Sequence, residues 1–91
     1  MAAAVLLETT TFRLAAGVDE DAFLAADEAL QEELSPWPGF VRRTTARGDA
    51  GEWLVLSMWG TAADADAAPP PVPARLVDPA SVRTARWSTL G

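Results

Sequence analysis

The stretch Glu52-Trp53-Leu54-Val55-Leu56-Ser57-Met58-Trp59, followed by Gly60-Thr61 and the Ala-rich run Ala62 to Ala68, decides the reading of this chain. Its first eight residues are apolar at both parities, the pattern of a β-strand buried on two sides. Alternation puts Trp53, Val55, Ser57 and Trp59 on one face and Leu54, Leu56 and Met58 on the other. Gly60 and Thr61 then introduce a short second helix, roughly Ala62 to Ala68, which three consecutive prolines from Pro69 stop.

Upstream, the turn Gly48-Asp49-Ala50-Gly51 joins this strand to an earlier one over Phe40 to Arg47, a hairpin signal. Gly48 to Gly51 lacks the spacing and strand-to-helix setting of a phosphate loop. Ser35-Pro36-Trp37-Pro38-Gly39 ends a helix that the periodicity places over Glu20 to Leu34. Asp19 can cap it, and Glu20 and Asp21 suit its positive dipole end. Val5 to Leu14, rich in Thr and apolar residues and broken off before Gly17, reads as the first strand. Downstream, Pro69, Pro70, Pro71, Pro73 and Pro79 predict a rigid, extended connection, and Ser81 to Thr89 supplies a last strand.

The order is βαββαβ, the split βαβ unit of ferredoxin-like α+β folds: a four-stranded antiparallel sheet with both helices on one face. It makes one domain spanning residues 1–91. If Leu54, Leu56 and Met58 face away from the helices, a monomer would expose an apolar patch, which a second copy of the sheet would cover. A homodimer through the sheet face is therefore expected.

The order of elements, the segment Ser35 to Phe40 and the run Leu56-Ser57-Met58-Trp59-Gly60-Thr61-Ala62 resemble the dimeric α+β barrel superfamily, and within it the antibiotic-biosynthesis-monooxygenase-like proteins. The resemblance covers roughly residues 8 to 68. It implies a pocket between sheet and helices in each subunit, in which some members oxidise aromatic polyketides without a cofactor and others degrade haem. Trp59 matches the strand-end tryptophan that resembles the pocket residue of catalytic members. The Asn and His of haem-degrading members have no counterpart, so haem degradation is not expected and no cofactor is.

Composition narrows the chemistry. The chain has 91 residues, a formal net charge of −6, and no Cys, His, Lys, Tyr, Asn or Ile. That excludes a Ser-His-Asp triad, a Schiff-base lysine, thiolate catalysis, and thiolate or imidazole metal sites. An acidic chain whose only basic residues are seven arginines does not suit nucleic acid or an anionic membrane. The apolar run Ala2 to Leu7 lacks a basic flank and is too short for a leader core or a membrane span, which, with the absence of Cys, reads as cytoplasmic.

Candidate site residues must come from what remains. On the first helix Phe23, Ala26, Leu30 and Leu34 form an apolar stripe with Asp27 inside it. Burying that carboxylate unpaired would cost several kcal/mol, on the order given by transfer data. Three arrangements resolve it: Asp27 reaches water or Gln31 at the stripe's edge; it pairs with Arg42 or Arg13 on the sheet; or it serves as a general base, or ligand anchor, in a pocket walled by Trp59 and Trp37. Ser57 shares the face of Trp59 and would lie in that pocket. Arg42 and Arg43 point to opposite faces of a regular strand, and an arginine cluster with Arg13 could grip a carboxylate or phosphate. Trp53 and Trp87 read as packing residues.

Three functions fit: a cofactor-independent monooxygenase-like enzyme of aromatic or secondary metabolism, a non-catalytic protein binding a small aromatic ligand, and a structural or assembly module whose interior is filled by its own side chains. The short second helix favours an opening on its side of the sheet.

Overall fold

The computed structural model describes residues 4–90. The elements are β1 (Leu6–Arg13), α1 (Glu20–Leu34), β2 (Phe40–Arg47), β3 (Glu52–Trp59), α2 (Ala62–Ala67) and β4 (Arg83–Ser88). They form one four-stranded sheet of order β2-β3-β1-β4, with each neighbouring pair antiparallel. This is the α+β ferredoxin-like arrangement expected from the sequence. Of the apolar N-terminal run, Ala2 and Ala3 lie outside the described residues. Among the described residues no helix is long and apolar enough to cross a membrane.

Parity along the strands sorts the residues as the β3 pattern predicts. Trp53, Val55, Ser57 and Trp59 are buried beneath the helices, and Leu54, Leu56 and Met58 are half-buried on the opposite, open face. Register carries the alternation to the neighbours. Glu8, Thr10 and Phe12 of β1 are buried on the helix side, and Arg43, opposite Ser57, is the buried residue of β2. A bulge between Phe40 and Arg42 lets Phe40 stay opposite Trp59 and meet its ring edge-on, at 5.6 Å between centroids.

The core lies between the sheet and α1. Phe23 of α1 is wholly buried between Phe12 (5.7 Å between ring centroids) and Trp53 (4.8 Å), with Val55 beside them. Trp53 is thus a packing residue, and Arg47 lies 5.3 Å from its ring centroid on the outer side. The connection after α2 departs from the extended rod expected of its prolines. It carries single 3-10 turns at Ala74–Leu76 and Pro79–Ser81, bridges through Val77 to Leu14 just past the end of β1, and drives Val72 and Val77 into the core. Proline fixes φ but says nothing about which side the chain packs on, and the two valines supply the apolar anchors that fold this strap down.

Between α1 and β2 the chain turns at Gly39, whose φ is +80°. A Cβ there would overlap the Asp64 carboxylate, which is held at the start of α2 by the Thr61 hydroxyl (2.9 Å) while the Asp64 amide donates back to that hydroxyl (3.1 Å). Gly39→Ala is therefore expected to destabilise the fold by about 1–3 kcal/mol through the left-handed backbone and the displaced cap, read as a lowered urea midpoint at unchanged slope.

Candidate functional site

The helix face of the sheet is crossed by a polar row. Arg43 of β2 stands opposite Ser57 of β3, Ser57 opposite Glu8 of β1, and Glu8 opposite Arg86 of β4. Glu8, Ser57 and Arg43 are buried. Each half of the row solves its charge differently.

The Arg43 half is closed. Asp27, central in the buried stripe Phe23, Asp27 and Leu34 of α1, accepts from Arg43 Nη2 on Oδ1 (2.5 Å) and from the Thr45 hydroxyl on Oδ2 (2.7 Å). Arg43 Nη2 also donates to the carbonyl of Pro71 (2.9 Å), and Nη1 reaches Gln31 Oε1 (3.4 Å). Asp27 therefore pairs with an arginine, but with Arg43 in place of the expected Arg42 or Arg13. The reason is parity: Arg42 stands opposite Met58 on the open face, and Arg13 stands opposite Glu52 at the far end of the sheet, where it donates to the Ala50 carbonyl. Gln31 serves the arginine and not the carboxylate. With both oxygens engaged, Asp27 has little left to offer a ligand, and it does not line the hollow that contains Trp59.

The Glu8 half is open. A cleft of about 360 Å³ lies over it. Its floor is Glu8, Ser57, Trp59, Thr84 and Arg86, its side wall is Leu34, and its roof is Ala65, Asp66 and Ala68 with Pro69, Pro70 and Pro71. The cleft opens beside the short α2, whose six residues leave this end of the sheet thinly covered. Of the expected site residues, the structure brings Trp59 and Ser57 together here. Trp37 is half-buried in the turn after α1, tied by its amide to the Leu34 carbonyl (2.9 Å), and is not among the lining residues.

Three charged residues of the cleft, Glu8, Asp66 and Arg86, escaped the sequence reading. Arg86 Nε donates to Glu8 Oε2 (2.8 Å), and its Nη2 meets Asp66 Oδ1 (2.7 Å). Hydrogen bonding to Glu8 first, and to Asp66 second, raises the Arg86 pKa above its already high ordinary value, so the guanidinium stays charged at any pH the fold survives. Glu8 sits at the parity of Phe12 in β1, an acidic residue on the apolar side of a strand. That alternation was the available signal; Arg86 had none, because β4 is polar or small at most positions. The trio carries two negative charges and one positive, so the cleft mouth is net acidic.

A larger hollow, of about 430 Å³, flanks α1 on the outside, lined by Ala26, Ala29, Leu30 and Glu33 against the strap residues Pro73 to Leu76. Its charged residues, Glu33 and Arg75, are exposed, and no residue of the sheet reaches it. The cleft over Glu8 is the better site because buried polar groups converge on it with an aromatic wall.

No protein-family model matches the chain, and no curated protein sequence does. Solved structures do resemble it. SnoaB, a cofactor-independent oxygenase from Streptomyces nogalater, superposes with a TM-score of 0.74 at 15% identity, covering 96% of this chain and 94% of that one. A Chloroflexus aurantiacus protein assigned as an antibiotic biosynthesis monooxygenase gives 0.71 at 19% identity, covering 96% and 94%. A Shewanella oneidensis protein gives 0.71 at 14% identity, covering 93% and 90%. At these identities the likeness is one of fold, the one the run from Leu56 to Ala62 pointed to.

Proposed function

We propose that two copies of this chain pair through their open sheet faces and that each binds a small, uncharged, hydroxylated aromatic molecule in the cleft over Glu8, oxygenating it without a cofactor. The observation that carries this reading is the pairing of an apolar wall, Trp59, Leu34 and the prolines, with a floor of Ser57, Glu8 and Arg86. A planar ring fits between Trp59 and the prolines. Its hydroxyl donates to the Glu8 carboxylate, which the Arg86 guanidinium holds in place. A net acidic mouth on a chain of net charge −6 disfavours a ligand carrying its own carboxylate.

The chemistry asked of the protein is then small. Glu8 gives one oxygen to Arg86, and its other oxygen accepts no hydrogen bond among the described residues. That oxygen takes the proton of a phenol or of an activated C–H. The anion gives one electron to dioxygen, and the radical pair joins as a peroxide at carbon. Glu8 returns its proton to that peroxide, and the O–O bond breaks as water leaves. One oxygen stays on the ring as a carbonyl, and the other departs with the two hydrogens the substrate has lost. The oxygenase among the structural neighbours supports this step by analogy of fold. Asp27, bound to Arg43 and Thr45, belongs to the scaffold in this reading. Binding without turnover is the second reading, favoured by the Arg86 bond that already engages one oxygen of Glu8 in a structural ion pair.

The test is calorimetric titration with 2-naphthol and with 2-naphthoate. Naphthol is expected to bind at least about tenfold more tightly than naphthoate, a difference of about 1.4 kcal/mol. Ala65→Trp, which fills the cleft from α2, is expected to weaken naphthol binding by about tenfold or more while the circular-dichroism spectrum is kept. Unchanged binding in that variant would place the ligand elsewhere. Dioxygen uptake by chelator-treated protein with a hydroxylated aromatic then separates enzyme from binder.

A further inference from the structure

The cleft does not stop at the prolines. Pro70, Pro71 and Thr84 line it and also line a second hollow of about 220 Å³ that lies further along β1, between the sheet and the strap. Val72, Val77 and Val82 wall this second hollow, and Thr10 forms its floor. The two spaces thus share Pro70, Pro71 and Thr84 as a common wall beneath the strap.

Thr10 is the anomaly. It is 1% exposed, and its hydroxyl makes no hydrogen bond among the described residues. A buried hydroxyl without a partner destabilises a fold, whereas valine would fill the same volume without that penalty. In sheet register Thr10 lies between Val55 and Thr84, one row beyond the Ser57 to Arg86 row that floors the cleft.

We propose that the two hollows form one elongated site, and that Thr10 is a specificity-determining residue whose hydroxyl bonds to an oxygen carried on a short apolar arm of the ligand. The inference rests on the reading of the cleft above and extends it. The ligand is an aromatic ring with a hydroxyl at the Glu8 end and, on the opposite side of the ring, an acyl or similar carbonyl-bearing substituent that passes under Pro70 and Pro71. The valines exclude charge from that end and accept the arm's carbon atoms. Thr10 then separates a carbonyl arm from a hydrocarbon arm of the same shape, because a buried polar group discriminates strongly against a ligand that leaves it unpaired.

The experiment compares 2-naphthol, 6-acetyl-2-naphthol and 6-isopropenyl-2-naphthol by calorimetry on the wild-type protein, Thr10→Val and Val82→Phe. The last two ligands have the same shape and differ in a C=O against a C=CH2. Wild type is expected to bind the acetyl compound at least tenfold more tightly than naphthol and about five- to tenfold more tightly than the isopropenyl compound. Thr10→Val is expected to lose the second preference while binding naphthol as before, with a melting temperature equal to or above wild type. Val82→Phe, which fills the second hollow, is expected to lose the gain from either arm. Naphthol binding with no gain from the acetyl arm would overturn this inference alone, as would a Thr10→Val protein that keeps the acetyl preference. Failure of all three compounds to bind wild type would overturn the reading of the cleft and this inference with it.

Discussion

Asp27→Ala is expected to destabilise the fold by about 3–5 kcal/mol, the loss that follows when one member of a buried ion pair is removed and the other charge is left behind. Arg43 has 1% of its side chain exposed and cannot turn to water, and its Nε already lacks a partner among the described residues. Removing Asp27 strips Nη2 of its carboxylate and Thr45 of its acceptor together. The matching control is Asp27→Leu with Arg43→Met, which deletes both charges at similar volume and is expected to recover most of the loss in urea unfolding. Because Arg43 also donates to the Pro71 carbonyl, the double variant should loosen the strap that lines both hollows, read as faster amide exchange over residues 72–77. If Asp27→Ala costs less than 1 kcal/mol and instead abolishes turnover, Asp27 is the working carboxylate and the assignment to Glu8 falls.

That contrast marks how far the sequence could be read. The spans of α1, β2 and β3 were legible because glycine and proline bracket them: Gly17 and Asp19 before Glu20, the Ser35 to Gly39 turn, and the Gly48 to Gly51 turn. The parity of β3 was legible because a serine among large apolar residues leaves only two face assignments, and the tryptophans mark one of them. β2 offers no such contrast. Arg42-Arg43-Thr44-Thr45 is polar at both parities, so which arginine lies under α1 depends on the bulge and on pairing with β3, neither of which is local. The strap was misread for a related reason, since proline content predicted its stiffness and not the burial of Val72 and Val77. The second hollow depends on that packing and was invisible.

Leu56→Asp is expected to convert a dimer into monomers, raising the dissociation constant at least about a thousandfold, or about 4 kcal/mol. Leu7, Leu54, Leu56 and Met58 line an apolar hollow of about 380 Å³ on the open face, beside Thr44 and Arg42. Trp87, read from sequence as a packing residue, stands opposite Leu7 on this same face and is 57% exposed. An exposed tryptophan and four half-buried apolar side chains on one side of a small sheet are what a second sheet would cover. In the proposed dimer a two-fold axis would bring each substitution in twice and bury a carboxylate at position 56 in both copies. Sedimentation velocity distinguishes the states directly, and the wild-type melting temperature should rise with protein concentration while that of the variant should not. The cleft and the proposed interface lie on opposite faces, so a folded Leu56→Asp monomer that still binds 2-naphthol would show each subunit's site to be complete in itself. A monomer that loses the ligand would make the sheet's second face a support that the cleft requires. A wild-type protein already monomeric at high concentration would leave the open face to a different partner and refute the homodimer.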